Sequence, residues 1–332
     1  MIPERTICEL LSSILPRGRV NGCFESDAEI LRLNGREHLF TMDEFSAEDS
    51  FREDDPYALG WNIAAGAISD IFAAGGMPLY YAHALTVSPT WDTQYLTRFG
   101  HGVRDVLRKT ETGFLGGDCG RSELWRCTVA VIGSCLGPPV RRRGAEPGDD
   151  IYISGPVGAG NLEAALRLPA GRAGPWAGSV KIRFPVRRRE SVLMTRHASA
   201  CIDTSDGVWA ALNTLADLNK CGFAVGDLPY VGQGLQFCQA AGVPKILLFL
   251  GECGEYELLF TVRPNQRHAF LSEAQHSGCA FHRLGEMTRT GRSVNEDGRI
   301  VNLEGLHIEA RDYETPQRYL EALMCLVGES RS

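Results

Sequence analysis

No apolar run in this 332-residue chain approaches the roughly 20 residues that a bilayer-spanning helix needs, which leaves no candidate membrane span. The opening Met1-Ile2-Pro3-Glu4-Arg5 lacks the basic and apolar regions of a secretory leader. Cysteines are present but unorganised: the eleven are odd in number, scattered, and free of any CxxC pair. That usage predicts reduced thiols in a cytoplasmic protein, not a disulfide framework or a zinc site. Excess positive charge is missing too. A formal charge of −7 argues against general nucleic-acid or anionic-membrane binding. It does not argue against a phosphorylated substrate, because metal ions bridge carboxylates to phosphates. The short signatures of several enzyme classes are also absent. There is no GxSxG elbow and no HExxH, and Gly155 to Gly160 lacks the Lys-Ser/Thr that would follow in a phosphate-binding loop. That glycine segment predicts a strand-to-helix turn instead.

What is present suits a globular protein. The chain exceeds the usual size of one hydrophobic core, so two domains are expected, 1–147 and 148–332, parting at the polar turn around Pro147-Gly148. Ala28 to Leu33 and Glu37 to Met42 read as two strands joined by a turn at Asn34-Gly35. A helix then opens with Asp54 or Asp55 as N-cap and Pro56 in its first turn, and Gly75-Gly76 and Pro78 are expected to close it. Trp61, Ala65, Ile68 and Phe72 give it one apolar face, with Asp70 nearly opposite among Gly66, Ala67, Ala73 and Ala74. Leu79 to Val87 and Cys127 to Gly133 read as strands, and Trp91 to Lys109 as a helix. In the second half Asp150 to Ser154, Leu247 to Leu250 and Tyr256 to Val262 read as strands, with helices from Asn161 to Leu168 and around Arg318 to Leu326. Strands and helices mix without strict alternation, which predicts an α+β fold in each domain.

The chemistry points to the acids. Asp27, Asp43, Asp70 and Asp118 fall at strand ends, in Gly-rich turns or on the small-residue face of a helix, and Asp203 and Asp206 repeat the arrangement. Magnesium takes hard oxygen ligands, usually one or two carboxylates with phosphate oxygens and waters, so a nucleotide site with several ions needs several carboxylates. Neighbouring glycines let backbone N–H groups reach phosphate oxygens. The competing reading is that Asp-Gly pairs mark turns, which accounts for Asp206-Gly207 better than for Gly117-Asp118. Arg142 or Arg143 can clamp a phosphate or simply form a solvated basic turn. His83 and His101 read as packing or surface residues.

These motifs resemble a known family in their order along nearly the whole chain. Ser26-Asp27-Ala28-Glu29-Ile30, Thr41-Met42-Asp43, Asp55-Pro56-Tyr57 with Leu59-Gly60-Trp61, and Ile68-Ser69-Asp70 are similar to thiamine-monophosphate kinases. Leu115-Gly116-Gly117-Asp118, Gly144-Ala145 with Pro147-Gly148-Asp149, Ile202 to Gly207, and Tyr256-Glu257-Leu258-Leu259-Phe260 continue the match. The resemblance implies an ATP- and magnesium-binding N-terminal domain of the aminoimidazole ribonucleotide synthetase type, a C-terminal α+β domain, and a homodimer formed through the N-terminal sheets. It implies transfer of the ATP γ-phosphoryl group to thiamine monophosphate, with Asp43, Asp70 and Asp206 central to catalysis. Asp27, Thr41, Asp43, Asp70, Asp118, Asp203 and Asp206 would hold magnesium; Gly117, Asp118, Arg142 and Ser205 would contact ATP; Ser50 and Glu255 stand at substrate positions. The chain departs from the pattern where Ser26 replaces the first of two aspartates, where Ser50-Phe51 replaces His-Phe, and where Cys253-Gly254-Glu255 replaces Gly-Glu-Asp. A relative acting on another acceptor, or a nucleotide-binding protein without catalysis, are the alternatives these departures allow.

Overall fold

The computed structural model describes residues 4–47, 54–166, 182–306 and 308–329, and within these the chain builds two sheets. After a short helix, α1 (Glu4–Ile14), β1 (Glu29–Leu33) and β2 (Arg36–Ser46) form an antiparallel hairpin. Asn34 and Gly35 make its turn with φ of 51° and 78°, the left-handed pair that matches the twist of flanking strands. Then come α2 (Pro56–Ala73), β3 (Gly76–Val87), α3 (Thr93–Thr110), β4 (Gly113–Arg121) and β5 (Arg126–Cys135). The first sheet has the order β1-β2-β5-β3-β4. β4 pairs parallel with β3 across the α3 connection, and β4 is left as an exposed edge.

The second sheet gathers β6 (Asp150–Ile153), β7 (Ala198–Asp203), β8 (Gly222–Gly226), β9 (Leu258–Val262), β10 (His282–Thr288), β11 (Arg292–Glu296) and β12 (Arg299–Asn302). Its order is β12-β11-β8-β10-β6-β9-β7, antiparallel except for the β8–β11 pair. Around it lie α4 (Ala159–Ala165), α5 (Arg188–His197), α6 (Gly207–Asn219), α7 (Gly232–Ala241), α8 (Leu247–Leu250), α9 (Arg267–Ser277) and the terminal α10 (Pro316–Glu329). Leu247–Leu250, expected as a strand, is a buried helical turn. Four consecutive apolar residues carry no period that separates the two states, and here Leu250 N–H donates back to Ile246 O at 3.0 Å.

α2 is the element between the two sheets. Asp55 caps it, accepting from the N–H groups of Tyr57 and Ala58 at 3.2 and 3.4 Å. One apolar face was expected, but the helix is buried on nearly every side, because it packs on β2, β3 and β5, on α3, and on β7 and β9 of the second sheet. Glycines make the α3 contact possible. A Cβ on Gly60 would lie 2.1 Å from Phe99 O, and one on Gly102 would lie 2.1 Å from Tyr57 O, so the two backbones touch. The helix ends at Ala73, and Gly75 turns the chain with φ of 76°. Pro78 does not close the helix. It lies inside β3, where the register with β5 slips between Pro78 and Tyr80.

One buried ion pair joins the start of α5 to the second sheet. Arg187 donates to both carboxylate oxygens of Glu257, at 2.6 and 2.5 Å, and Ser154 Oγ donates to Glu257 at 2.6 Å. Ser154 Oγ also accepts from Leu258 N–H at 2.8 Å, so the Ser154 hydroxyl and both Glu257 carboxylate oxygens are satisfied.

Candidate active site: carboxylates between the two sheets

Four separate elements bring aspartates to one place. Asp27 stands in the turn before β1, Asp43 on β2, Asp70 in the last turn of α2, and Asp203 at the end of β7. Carboxylate oxygens of Asp27, Asp70 and Asp203 all lie within 4.8 Å of one another. Thr41 and Asp43 are two apart on β2 and therefore share a face of the sheet, and Thr41 Oγ1 donates to Asp70 Oδ2 at 2.5 Å.

The electrostatics are those of crowded acids. Two carboxylate charges about 5 Å apart repel by roughly 3 kcal/mol at an effective dielectric near 20. Burial first, and then the neighbouring acid Asp203, push Asp27 up to about 6 even though Arg142 opposes the shift. Burial, then Asp203 and Asp27, push Asp43 up to about 7. Asp70 rises well above the ordinary range through burial and the charges of Asp43, Asp203 and Asp27, with the Thr41 hydrogen bond acting the other way. Asp27 Oδ2 and Asp203 Oδ2 are buried with no hydrogen-bond partner. Buried, unpartnered carboxylate oxygens facing other carboxylates are a donor set that a hard divalent cation fits, since it would replace repulsion by coordination.

Arg142 is committed to this cluster. Its Nε and Nη2 donate to Asp27 Oδ1 at 3.1 and 2.6 Å, so its guanidinium compensates a carboxylate and is not free in a solvated turn. Ser26, beside Asp27, is buried and directs its hydroxyl to Val140 O at 3.5 Å. Ser205 N–H caps Asp203 Oδ1 at 3.2 Å, an Asx turn that holds the β7 carboxylate in place.

Other sequence candidates are not in the group of converging carboxylates that Asp27, Asp70 and Asp203 form, and each described one has its own surroundings. Asp118 is exposed on the β4 edge, where its Oδ1 accepts from Cys119 N–H at 2.9 Å. Gly117 beside it approaches β3 so closely that a Cβ would sit 1.6 Å from His83 O. Asp206 is exposed at the start of α6. Glu255 is buried beside the glycine turn, and its carboxylate accepts from Gly158 and Gly160 N–H at 3.2 and 3.4 Å. Burial pushes it up to about 8. The Gly155–Gly160 segment is thus a strand-to-helix turn whose N–H groups hold an internal acid. Ser50 lies outside the described residues. His83 packs, half-buried, against Tyr81 and Phe114. Nothing in residue spacing announced that Asp27 would hold Arg142 or that Glu255 would answer the glycine turn; both contacts join segments about a hundred residues apart.

Residues 25–137 match the family of AIR synthase related proteins, N-terminal domain. The thiamine-monophosphate kinase of Halobacterium salinarum (strain ATCC 700922 / JCM 11081 / NRC-1) is 30% identical over 251 residues, which cover 75% of this chain and 83% of that one. The thiamine-monophosphate kinase of Escherichia coli (strain K12) is 28% identical over 290 residues, covering 84% of this chain and 88% of the other. The structure of AaThiL complexed with AMPPCP and TMP has a TM-score of 0.74 at 23% identity, covering 89% of this chain and 94% of that chain. The structural likeness is one of fold.

Proposed function

The chain belongs to the thiamine-monophosphate kinase family, and on that premise we propose that it transfers the γ-phosphoryl group of ATP directly to the phosphate of thiamine monophosphate, giving thiamine diphosphate and ADP. The observation that carries this reading at the site is the convergence of Asp27, Asp70 and Asp203 with two buried carboxylate oxygens left unpartnered. Phosphoryl transfer asks a protein mainly to position the reactants and to balance charge, and it needs no covalent enzyme intermediate. Bound magnesium supplies charge neutralisation and alignment of the phosphate oxygens. Asp27, Asp43, Asp70 and Asp203 would hold it, while Thr41 orients Asp70 and Arg142 fixes Asp27. Asp43, Asp70 and Asp206 are the acids closest to the chemistry in this reading. Gly117, Asp118 and Ser205 serve the nucleotide, and Glu255 and Ser50 the acceptor.

Residues 1–147 form the ATP- and magnesium-binding, dimerising domain in this reading, and 148–332 the C-terminal domain. A homodimer is supported by the exposed β4 edge, which carries Phe114 and Leu115 in contact with solvent. No described helix is long and apolar enough to cross a membrane, and we place the protein in the cytoplasm. The test is direct. Purified protein is incubated with ATP, magnesium and thiamine monophosphate, and thiamine diphosphate is measured. Absence of product alongside magnesium-dependent ATP binding would overturn the choice of acceptor.

A further inference from the structure

A second charged cleft lies away from the carboxylates, where the two sheets are strapped together. The strap is the segment after β5: Leu136 N–H and Val140 N–H donate to Gly75 O and Ala74 O at the end of α2, and Arg141 O accepts from Cys201 N–H on β7. Between this strap, α5 and the start of β7 is a cleft of about 670 Å³. Three guanidinium-bearing side chains line it, Arg141, Arg143 and Arg196, together with Thr195 and Ser199, and no carboxylate lines it. Two of the three charges are matched by acids outside the lining, which leaves Arg141, among the described residues, as the uncompensated cation of the cleft.

The three arginines are not equivalent. Arg143 pairs with Glu25 at 3.0 Å, and Arg196 pairs with Glu273, both acids lying outside the lining. Arg141 is half-buried, yet among the described residues its guanidinium has neither a hydrogen-bond partner nor an ion-pair partner. Its neighbour Arg142 is taken up by Asp27, so the strap sends one arginine to the catalytic acids and leaves the adjacent one facing this cleft. A guanidinium fork matches the oxygens of a phosphate group, and several of them suit a doubly charged anion better than a single carboxylate. The volume is far larger than a phosphate ion needs, and Leu136, Pro138 and Val192 add an apolar wall for an organic body.

We propose that this cleft is a binding site for a phosphate-bearing small molecule, separate from the catalytic carboxylates and gripped first by Arg141. The site stands independently of the kinase reading, because its test requires neither nucleotide nor magnesium. Phenyl phosphate and inorganic phosphate are titrated separately into the full-length protein in EDTA, at low salt, by calorimetry. Wild-type protein binds at least one of them, and Arg141→Glu and Arg196→Glu each weaken it by roughly tenfold or more, as loss of a charge-assisted contact requires. Tighter binding of phenyl phosphate identifies an organic phosphate as the ligand; equal binding identifies free phosphate. Circular dichroism checks that each variant is folded, and if Arg141→Glu fails, Arg196→Glu at its exposed position carries the comparison. No binding of either probe to wild-type protein, or folded variants that bind as wild type does, overturns the proposal.

Discussion

Lowering the pH from 8 to 6 should weaken magnesium binding to this protein steeply, and the size of the effect follows from the site. A metal-ligating carboxylate must be ionised, so each proton that has to leave lowers the apparent affinity. With Asp43 raised to about 7, its ionised fraction falls roughly tenfold over that range. With Asp27 raised to about 6, the fall is roughly twofold, giving about twentyfold together. Asp70 is displaced in the same direction and adds to the effect. The groups facing these acids are Arg142, which favours ionisation of Asp27, and Asp203, which opposes it. Calorimetric titration of magnesium at pH 6, 7 and 8, in buffers of different ionisation enthalpy, reads both the affinity and the protons released. An affinity constant over this range with no proton release would refute the reasoning.

The same shifts carry a stability sign. A carboxylate raised in the folded state contributes stability below its unfolded value near 4, and that contribution is lost as pH rises through the folded value. For Asp27, whose side chain is 1% exposed, the step from 3.8 to about 6 is worth on the order of 3 kcal/mol. That contribution runs out between about pH 4 and pH 6, so metal-free protein should melt at a lower temperature at pH 7 than at pH 5, and magnesium should narrow the difference.

Two further predictions concern the frame that holds the site. Glu257→Ala removes a carboxylate that Arg187 and Ser154 both need, and it should cost about 3–5 kcal/mol in urea denaturation, as breaking a buried pair does; a loss under about 1 kcal/mol would mean that Arg187 finds water or another partner. Gly102→Ala should destabilise by about 1–3 kcal/mol or more, because the new methyl must push α3 off Tyr57 O, whereas Gly100→Ala on the same helix has open space and should be neutral or stabilising. Equal effects of the two would show that the close α2–α3 contact is not what Gly102 serves.

Much of the architecture could be read before any coordinates. Asn34-Gly35 between two strand-like runs has a nearly unique local solution, and the observed left-handed pair is that solution. Asp55-Pro56 starts α2 for the same kind of reason, since cap chemistry acts over two or three residues. Where the reading failed, the deciding energy was not local. Leu247–Leu250 became a helical turn because burial beside α6 and α10 rewarded compactness, not extension. α2 lost its expected exposed face because a second sheet from residues far along the chain covers it.

The site divides along the same line. The sequence by itself determined which chemistry was available: many aspartates set among small residues and glycines, an acidic balance, and a motif order shared with one family. It also put Thr41 and Asp43 on one side of a strand, because strand period is a local property. Only the tertiary structure decided which acids meet. Asp27, Asp70 and Asp203 come within 4.8 Å although more than a hundred residues separate the last two, and Asp118 and Asp206, also candidates in sequence, remain exposed. It likewise decided that Arg142 turns toward Asp27 while Arg141 faces a cleft of its own. Coulomb repulsion and desolvation depend on distance in space, and in a chain that folds two sheets around one helix, distance along the sequence carries little information about either.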